Sequence, residues 1–124
     1  MIKINVSGLA AKEIVGMVAE VGGDQIEARV VADIIGAKEV AQGKADYYIG
    51  ACATGGGGAL SMAIAILGYS KCYTVSIAGK PTKEDEIYEA VRSGKKAFGF
   101  TSDHVDSAVP LIIKAILVKH RLAN

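Results

Sequence analysis

Residues 47–69 read YYIGACATGGGGALSMAIAILGY, and the fold turns on them. An apolar run ends in Cys52. Four consecutive glycines follow (Gly55, Gly56, Gly57 and Gly58), and an apolar, helix-forming run opens at Ala59. A strand that breaks into a glycine turn and re-enters as a helix carries bare backbone N–H groups to the helix N-terminus. Phosphate or carboxylate is favoured there. Glycine also permits positive φ and lets a ligand approach the backbone closely. The other reading of the same residues is a turn that allows tight helix–strand packing. The stretch is uncharged, but the glycines and Thr54 interrupt its first half, so it does not read as a membrane span.

Working outward, residues 71–77 read as a fourth strand, and 78–82 as a loop carrying Gly79 and Lys80. A helix to about Arg92 follows, with Glu84, Asp85 and Glu86 at its favourable pole. Residues 97–101, AFGFT, form a fifth strand. Ser102 and Asp103 then cap a last helix whose far end gathers Lys114, Lys119, His120 and Arg121. Pro110 either kinks that helix or marks its true start after a short turn. Upstream, residues 2–6 are a buried strand closed by Ser7 and Gly8, and 10–21 have helical spacing. Residues 26–31 alternate like an edge strand, and 33–42 form a short helix between Asp33 and Gly43.

Strands alternating with helices predict a three-layer αβα sandwich. Its five-stranded parallel sheet would be Rossmann-like or flavodoxin-like, with order 2-1-3-4-5, in one α/β domain over residues 1–124. In such sheets ligands sit beyond the carboxyl ends of the strands, at the switch point between strands 1 and 3. That rim collects Ser7, Gly8, Asp33, residues 52–58, Lys80, Thr101, Ser102 and His104.

Composition narrows the partners. The 124 residues carry a net charge of +1, without the basic excess of a nucleic-acid binder. No apolar leader opens the chain, and its two cysteines lack metal spacing, so a cytoplasmic protein with reduced thiols is expected. The helix over 59–67 is apolar nearly all round, which predicts burial against a second copy, a homodimer.

Cys52, at a strand end before a helix N-terminus, suits a nucleophile or base. Its bland alternative is a small buried residue. His104, between Asp103 and Asp106, suits a general acid. Ligand contacts are expected from Ser7, Gly8, Thr54, Gly55, Gly56, Gly57, Gly58, Lys80, Thr101 and Ser102. Tyr47 and Tyr48 open strand 3 at the opposite end and read as packing, as does Cys72, and His120 among its basic neighbours reads as structural or solvent-facing. No metal site is expected. No cofactor is expected either: the glycines follow strand 3 rather than strand 1, without the acid of a dinucleotide fingerprint or the lysine of a triphosphate loop.

Three segments carry a resemblance over nearly the full length: residues 46–69, residues 95–110 (KKAFGFTSDHVDSAVP), and the first strand with Gly8 and Leu9. Through them the chain resembles the YhfU-like family of bacterial proteins, a domain of unknown function. That resemblance implies an association with sugar or small-metabolite catabolism and transport. Locally, Cys52-Ala53-Thr54-Gly55 with Ser61-Met62-Ala63 is similar to the loop and helix of ribose-5-phosphate isomerase B and the galactose-6-phosphate isomerase subunits. The similarity implies Cys52 as a proton-shuttling base, with Thr54 and Gly55 stabilising an enediolate oxygen. Where that family has Asp-His after its first strand, this chain has Ser7-Gly8-Leu9, and the family's Asn-Ala-Arg after strand 4 is missing. The IIB components of sugar phosphotransferase systems also place a Cys at a strand-to-loop turn, but after strand 1, where Ser7 stands here.

The expected function is binding of a small anionic metabolite such as a sugar phosphate. The alternatives are isomerisation with Cys52 as base and His104 as acid, and a structural or regulatory subunit dimerising through residues 59–67.

Overall fold

A computed structural model describes residues 1–53, 57–77, 79–80 and 82–123. Strands β1 (Ile2–Gly8), β2 (Ile26–Val30), β3 (Tyr47–Cys52), β4 (Cys72–Thr74) and β5 (Ala97–Thr101) form one sheet. Every pairing in it is parallel. The helices are α1 (Ala11–Gly22), α2 (Asp33–Ala41), α3 (Gly57–Leu67), α4 (Glu84–Arg92) and α5 (Val105–Ala123).

Strand alternation sends Ile4, Val6, Tyr47, Ile49, Ala51, Phe98 and Phe100 to one side, where they meet α1, α4 and α5. Tyr48, Cys72 and Ala97 face α2 and α3 on the other. The result is the expected three-layer α/β sandwich. Part of α3's apolar girdle, Leu60 and Ala63, is taken up by the sheet and by Ala37 and Val40 of α2.

The strand order is β2-β1-β3-β5-β4, which corrects the expected 2-1-3-4-5 in its last two places. β5 is buried along its whole length, whereas in β4 only Cys72 is buried and the strand ends exposed at Thr74. A strand buried on both faces belongs inside a parallel sheet, so AFGFT takes the inner place and the shorter strand the edge. β4 also stops three residues early: Val75 still donates to the Gly99 carbonyl at 2.7 Å, and the chain then leaves the sheet.

Two glycines set the separation between α3 and the sheet. Gly50 and Gly99 are register partners on β3 and β5. A Cβ at Gly99 would stand 2.6 Å from Leu60 Cγ, and one at Gly50 would stand 2.8 Å from the Ala59 carbonyl oxygen. The first turns of α3 therefore rest on bare backbone, closer than any side chain permits. Pro110 lies inside α5 without ending it, after a single turn over Ser102–His104. The carbonyl it leaves unserved belongs to exposed Asp106, where solvent can replace the bond.

Candidate functional site

The carboxyl ends of the strands present a polar row on the α2/α3 side. Register and alternation put Ser7 of β1, Gly50 and Cys52 of β3, and Thr101 of β5 on that side, because Val6, Ala51 and Phe100 turn to the opposite core. At the first place in the row, Ser7 Oγ lies 2.5 Å from the Tyr48 hydroxyl. Tyr48 donates to the Ala59 carbonyl of α3 at 3.4 Å, which makes Ser7 the donor in their shared bond.

Tyr48 is thus more than packing, which corrects the reading that placed it, with Tyr47, away from the rim. Its ring runs along the strand over Gly50, where an added Cβ would stand 3.2 Å from the phenol oxygen. The glycine two residues on, on the same face, was the available signal. Burial pushes the Tyr48 phenol upward, against the opposing pull of the Ser7 hydrogen bond. Tyr47 does stay away: its hydroxyl lies 3.0 Å from His120 Nε2 on the far face.

Ser7, Gly8, Asp33, Tyr48 and Gly58 help line a cavity of about 140 Å³. Gly8 is irreplaceable there, with φ +86° and a would-be Cβ only 2.3 Å from the Ala51 carbonyl oxygen. Asp33 opens α2, and its carboxylate accepts the Ile34 N–H at 2.7 Å. Gly57 and Gly58 form the start of α3. Thr54, Gly55 and Gly56 lie outside the described residues.

Cys52 is half-buried, and its Sγ would be 3.6 Å from a Cβ on Gly58, so the thiol lies against the first turn of α3. It pairs in register with Thr101. Thr101 is fully buried, and its Oγ1 is 2.7 Å from His104 Nδ1. The same Nδ1 lies 2.7 Å from Ser76 Oγ. The other ring nitrogen is 3.9 Å from the Asp103 carboxylate. Thr101 therefore adjoins Cys52 through the sheet and His104 through a hydrogen bond.

Ser76 was missed because strand 4 was expected to run past it. Lys80 is exposed and lines a separate cavity of about 310 Å³ with Ser76 and Lys83 rather than the one at Ser7. Ser102 is half-buried in the turn leading to His104. Among the described residues no group of three or more His, Cys, Asp or Glu is placed to hold a metal ion. A larger depression, about 650 Å³, lies at the opposite strand ends beside Asp24, Asp46 and His120, away from this row.

Solved structures share this arrangement of strands and helices. The type B ribose 5-phosphate isomerase of Trypanosoma cruzi superposes with a TM-score of 0.69 at 12% identity, over 94% of this chain and 83% of that one. Ribose-5-phosphate isomerase B of Giardia lamblia gives 0.55 at 17% identity, over 94% and 87%. At such identities the likeness is one of fold. Sequence relatives are closer. The uncharacterized protein YhfU of Escherichia coli (strain K12) is 40% identical over 113 residues, covering 91% of this chain and 97% of its own length. The YhfU protein of Shigella flexneri matches to the same extent. Both bear out the resemblance drawn from residues 46–69 and 95–110. The model of the family described as protein of unknown function DUF2620 matches residues 2–116, and the chain belongs to that family.

Proposed function

We propose that this protein binds a small anionic metabolite, of the sugar-phosphate class, at the carboxyl rim between β1 and α3. The observation that carries the reading is the cavity at Ser7, Gly8, Tyr48 and Gly58, which sits where the first turn of α3 meets the ends of β1 and β3. The first N–H groups of a helix have no intrahelical partner and carry partial positive charge. At about 140 Å³ the cavity suits an anionic head group, with the remainder of the ligand lying along the row toward Cys52 and Thr101. The fold shared with ribose-5-phosphate isomerases supports the sugar-phosphate class. Calorimetric titration with inorganic phosphate and a panel of pentose and hexose phosphates tests it. Saturable binding that Ser7→Ala weakens about fivefold is expected, through loss of the bond that fixes the Tyr48 hydroxyl in the cavity wall. Absence of saturable binding by every member of the panel overturns it.

A second reading is favoured by the place of Cys52, whose thiol lies against α3's first turn. In it the Cys52 thiolate takes a proton from the hydroxyl-bearing carbon beside a sugar carbonyl, and the electron pair moves to the carbonyl oxygen. The proton of the adjacent hydroxyl passes to that oxygen, and the proton on Cys52 returns to the former carbonyl carbon as the adjacent carbon becomes the new carbonyl. Incubation of aldose and ketose phosphates in D2O tests this step. Deuterium entering the substrate with the wild type but not with Cys52→Ala supports it, and equal exchange in both removes Cys52 as base. The proposal of a homodimer rests on a further feature. Exposed Ile34 and Ile35 on α2 stand next to α3, whose outer positions Ser61 and Ala65 are small.

A further inference from the structure

Buried Ser76 and Thr101 meet half-buried His104 in a polar trio with one more hydroxyl proton than it can use. Ser76 is 4% exposed and Thr101 0%. Each hydroxyl lies 2.7 Å from the same atom, His104 Nδ1. An imidazole nitrogen offers either one lone pair or one proton. As an acceptor, Nδ1 serves one hydroxyl well and leaves the proton of the other to point elsewhere. As a donor, it leaves both hydroxyl protons to point elsewhere. In either tautomer at least one buried O–H needs another acceptor, and neither hydroxyl has a second hydrogen-bond partner among the described residues. A buried donor without an acceptor is costly, so the geometry calls for an oxygen atom beside this trio.

The surroundings say which hydroxyl and which oxygen. Ser76 lines the cavity of about 310 Å³, a size that admits a small metabolite. The cavity follows the outer edge of β4 past Thr74 and Val75 to Ile77. Two ammonium groups, Lys80 and Lys83, belong to its wall, against a single carboxylate, Glu86, which already accepts a 3.4 Å hydrogen bond from the Tyr73 hydroxyl. The cavity shares no lining residue with the one at Ser7. We propose that Ser76, Lys80 and Lys83 form a second binding site, at the β4 edge, for the oxyanion group of a small metabolite. The Ser76 hydroxyl donates to an anionic oxygen and the two lysines neutralise the charge, while the Thr101 hydroxyl takes the single lone pair of His104 Nδ1 and so leaves the Ser76 proton for the ligand. This site stands independently of the one proposed at Ser7.

The test follows backbone amide shifts in the intact protein during titration with inorganic phosphate and, separately, succinate, which distinguishes a phosphate from a carboxylate ligand. Saturable shifts at Ser76, Lys80 and Lys83 with either probe support the site. Lys83→Ala, an exposed change that spares the core, is expected to weaken that binding about tenfold. Ser76→Ala is expected to weaken it similarly and to change the His104 ring nitrogen signals. Ser7→Ala should leave it intact. Shifts confined to residues 7, 8 and 58, or no saturable shift with either probe, overturn the proposal. So does unaltered binding by Lys83→Ala together with a Lys80→Ala change.

Discussion

Tyr48 is the residue whose reach changes the picture of the rim. Its phenol holds Ser7 at 2.5 Å and touches the Ala59 carbonyl, tying β1, β3 and α3 at one point. Tyr48→Phe keeps the ring but strands the buried Ser7 hydroxyl. The expected cost is about 1–2 kcal/mol in urea unfolding, together with weaker phosphate binding in the calorimetric titration. Unchanged stability would mean that Ser7 finds another partner at no cost. The row of polar residues was only partly legible in the sequence. Ser7, Cys52, Thr101 and His104 follow from where strands end. Tyr48 does not, because its place in the chain is a strand beginning and only the bare floor at Gly50 carries its hydroxyl to the rim. Ser76 was hidden because a strand expected over 71–77 left it no separate role, whereas the chain quits the sheet after Val75 and turns it toward His104.

At the scale of elements, α3 and its floor decide the geometry. Gly99→Ala would drive a Cβ to 2.6 Å from Leu60 Cγ, and neither the helix nor the buried strand can yield without moving its neighbours. Overpacking of this kind is expected to cost about 1–3 kcal/mol in denaturant unfolding. A stability equal to the wild type would show that Leu60 repacks freely. Asn5 is the other element-level anchor. Its amide donates to the Gly36 carbonyl at 3.3 Å and to Glu39 at 2.9 Å, while Arg29 donates to its side-chain oxygen at 3.2 Å and pairs with Glu39. This buried amide holds α2 to β1 and β2. Asn5→Leu matches its bulk but removes the hydrogen bonds to the Gly36 carbonyl and Glu39 and leaves Arg29 Nε without its acceptor on Asn5, Glu39 keeping only Arg29, so a loss of about 1–3 kcal/mol is expected by the same measurement.

Over the whole molecule, a large part of the pH dependence should arise at the end opposite the rim. Burial lowers the pKa of His120 from its usual 6.5, and burial with the nearby Asp46 charge pushes Tyr47 up to about 12. The unfolded chain binds the His120 proton first as pH falls, so that contribution to stability is whole above 6.5 and is lost on going lower. Tyr47 keeps its proton in the folded state after the unfolded chain has released it, so its contribution is lost as pH rises from 10 toward about 12. Glu39, lowered chiefly by its hydrogen bond from Arg29, adds a further loss in acid as pH falls below 4.5. His120→Phe preserves the edge-on ring contact with Tyr47 without a titrating group. Melting temperatures of this variant should decline less than those of the wild type between pH 6.5 and about pH 5. Parallel curves would remove His120 from this account. The alternation of strand and helix made the architecture of the whole readable, down to β2 as an edge. The exchange of β4 and β5 was not readable from alternation, because either strand could follow its helix onto β3. Only the two-sided burial of Phe98 and Phe100 with Ala97, Gly99 and Thr101 on the other face distinguishes them.

The glycine pair beneath α3 also bears on how selectivity could be tuned. A pocket is usually reshaped by changing the side chains that line it. Here the clearance between helix and strand ends is set from below, by Gly50 and Gly99, and only one of the two borders the rim cavity. A methyl group added at residue 99 would act as a shim, raising the helix's first turn relative to Ser7 and Cys52. The mouth could thus be resized for a larger ligand while every group facing that ligand stayed chemically the same.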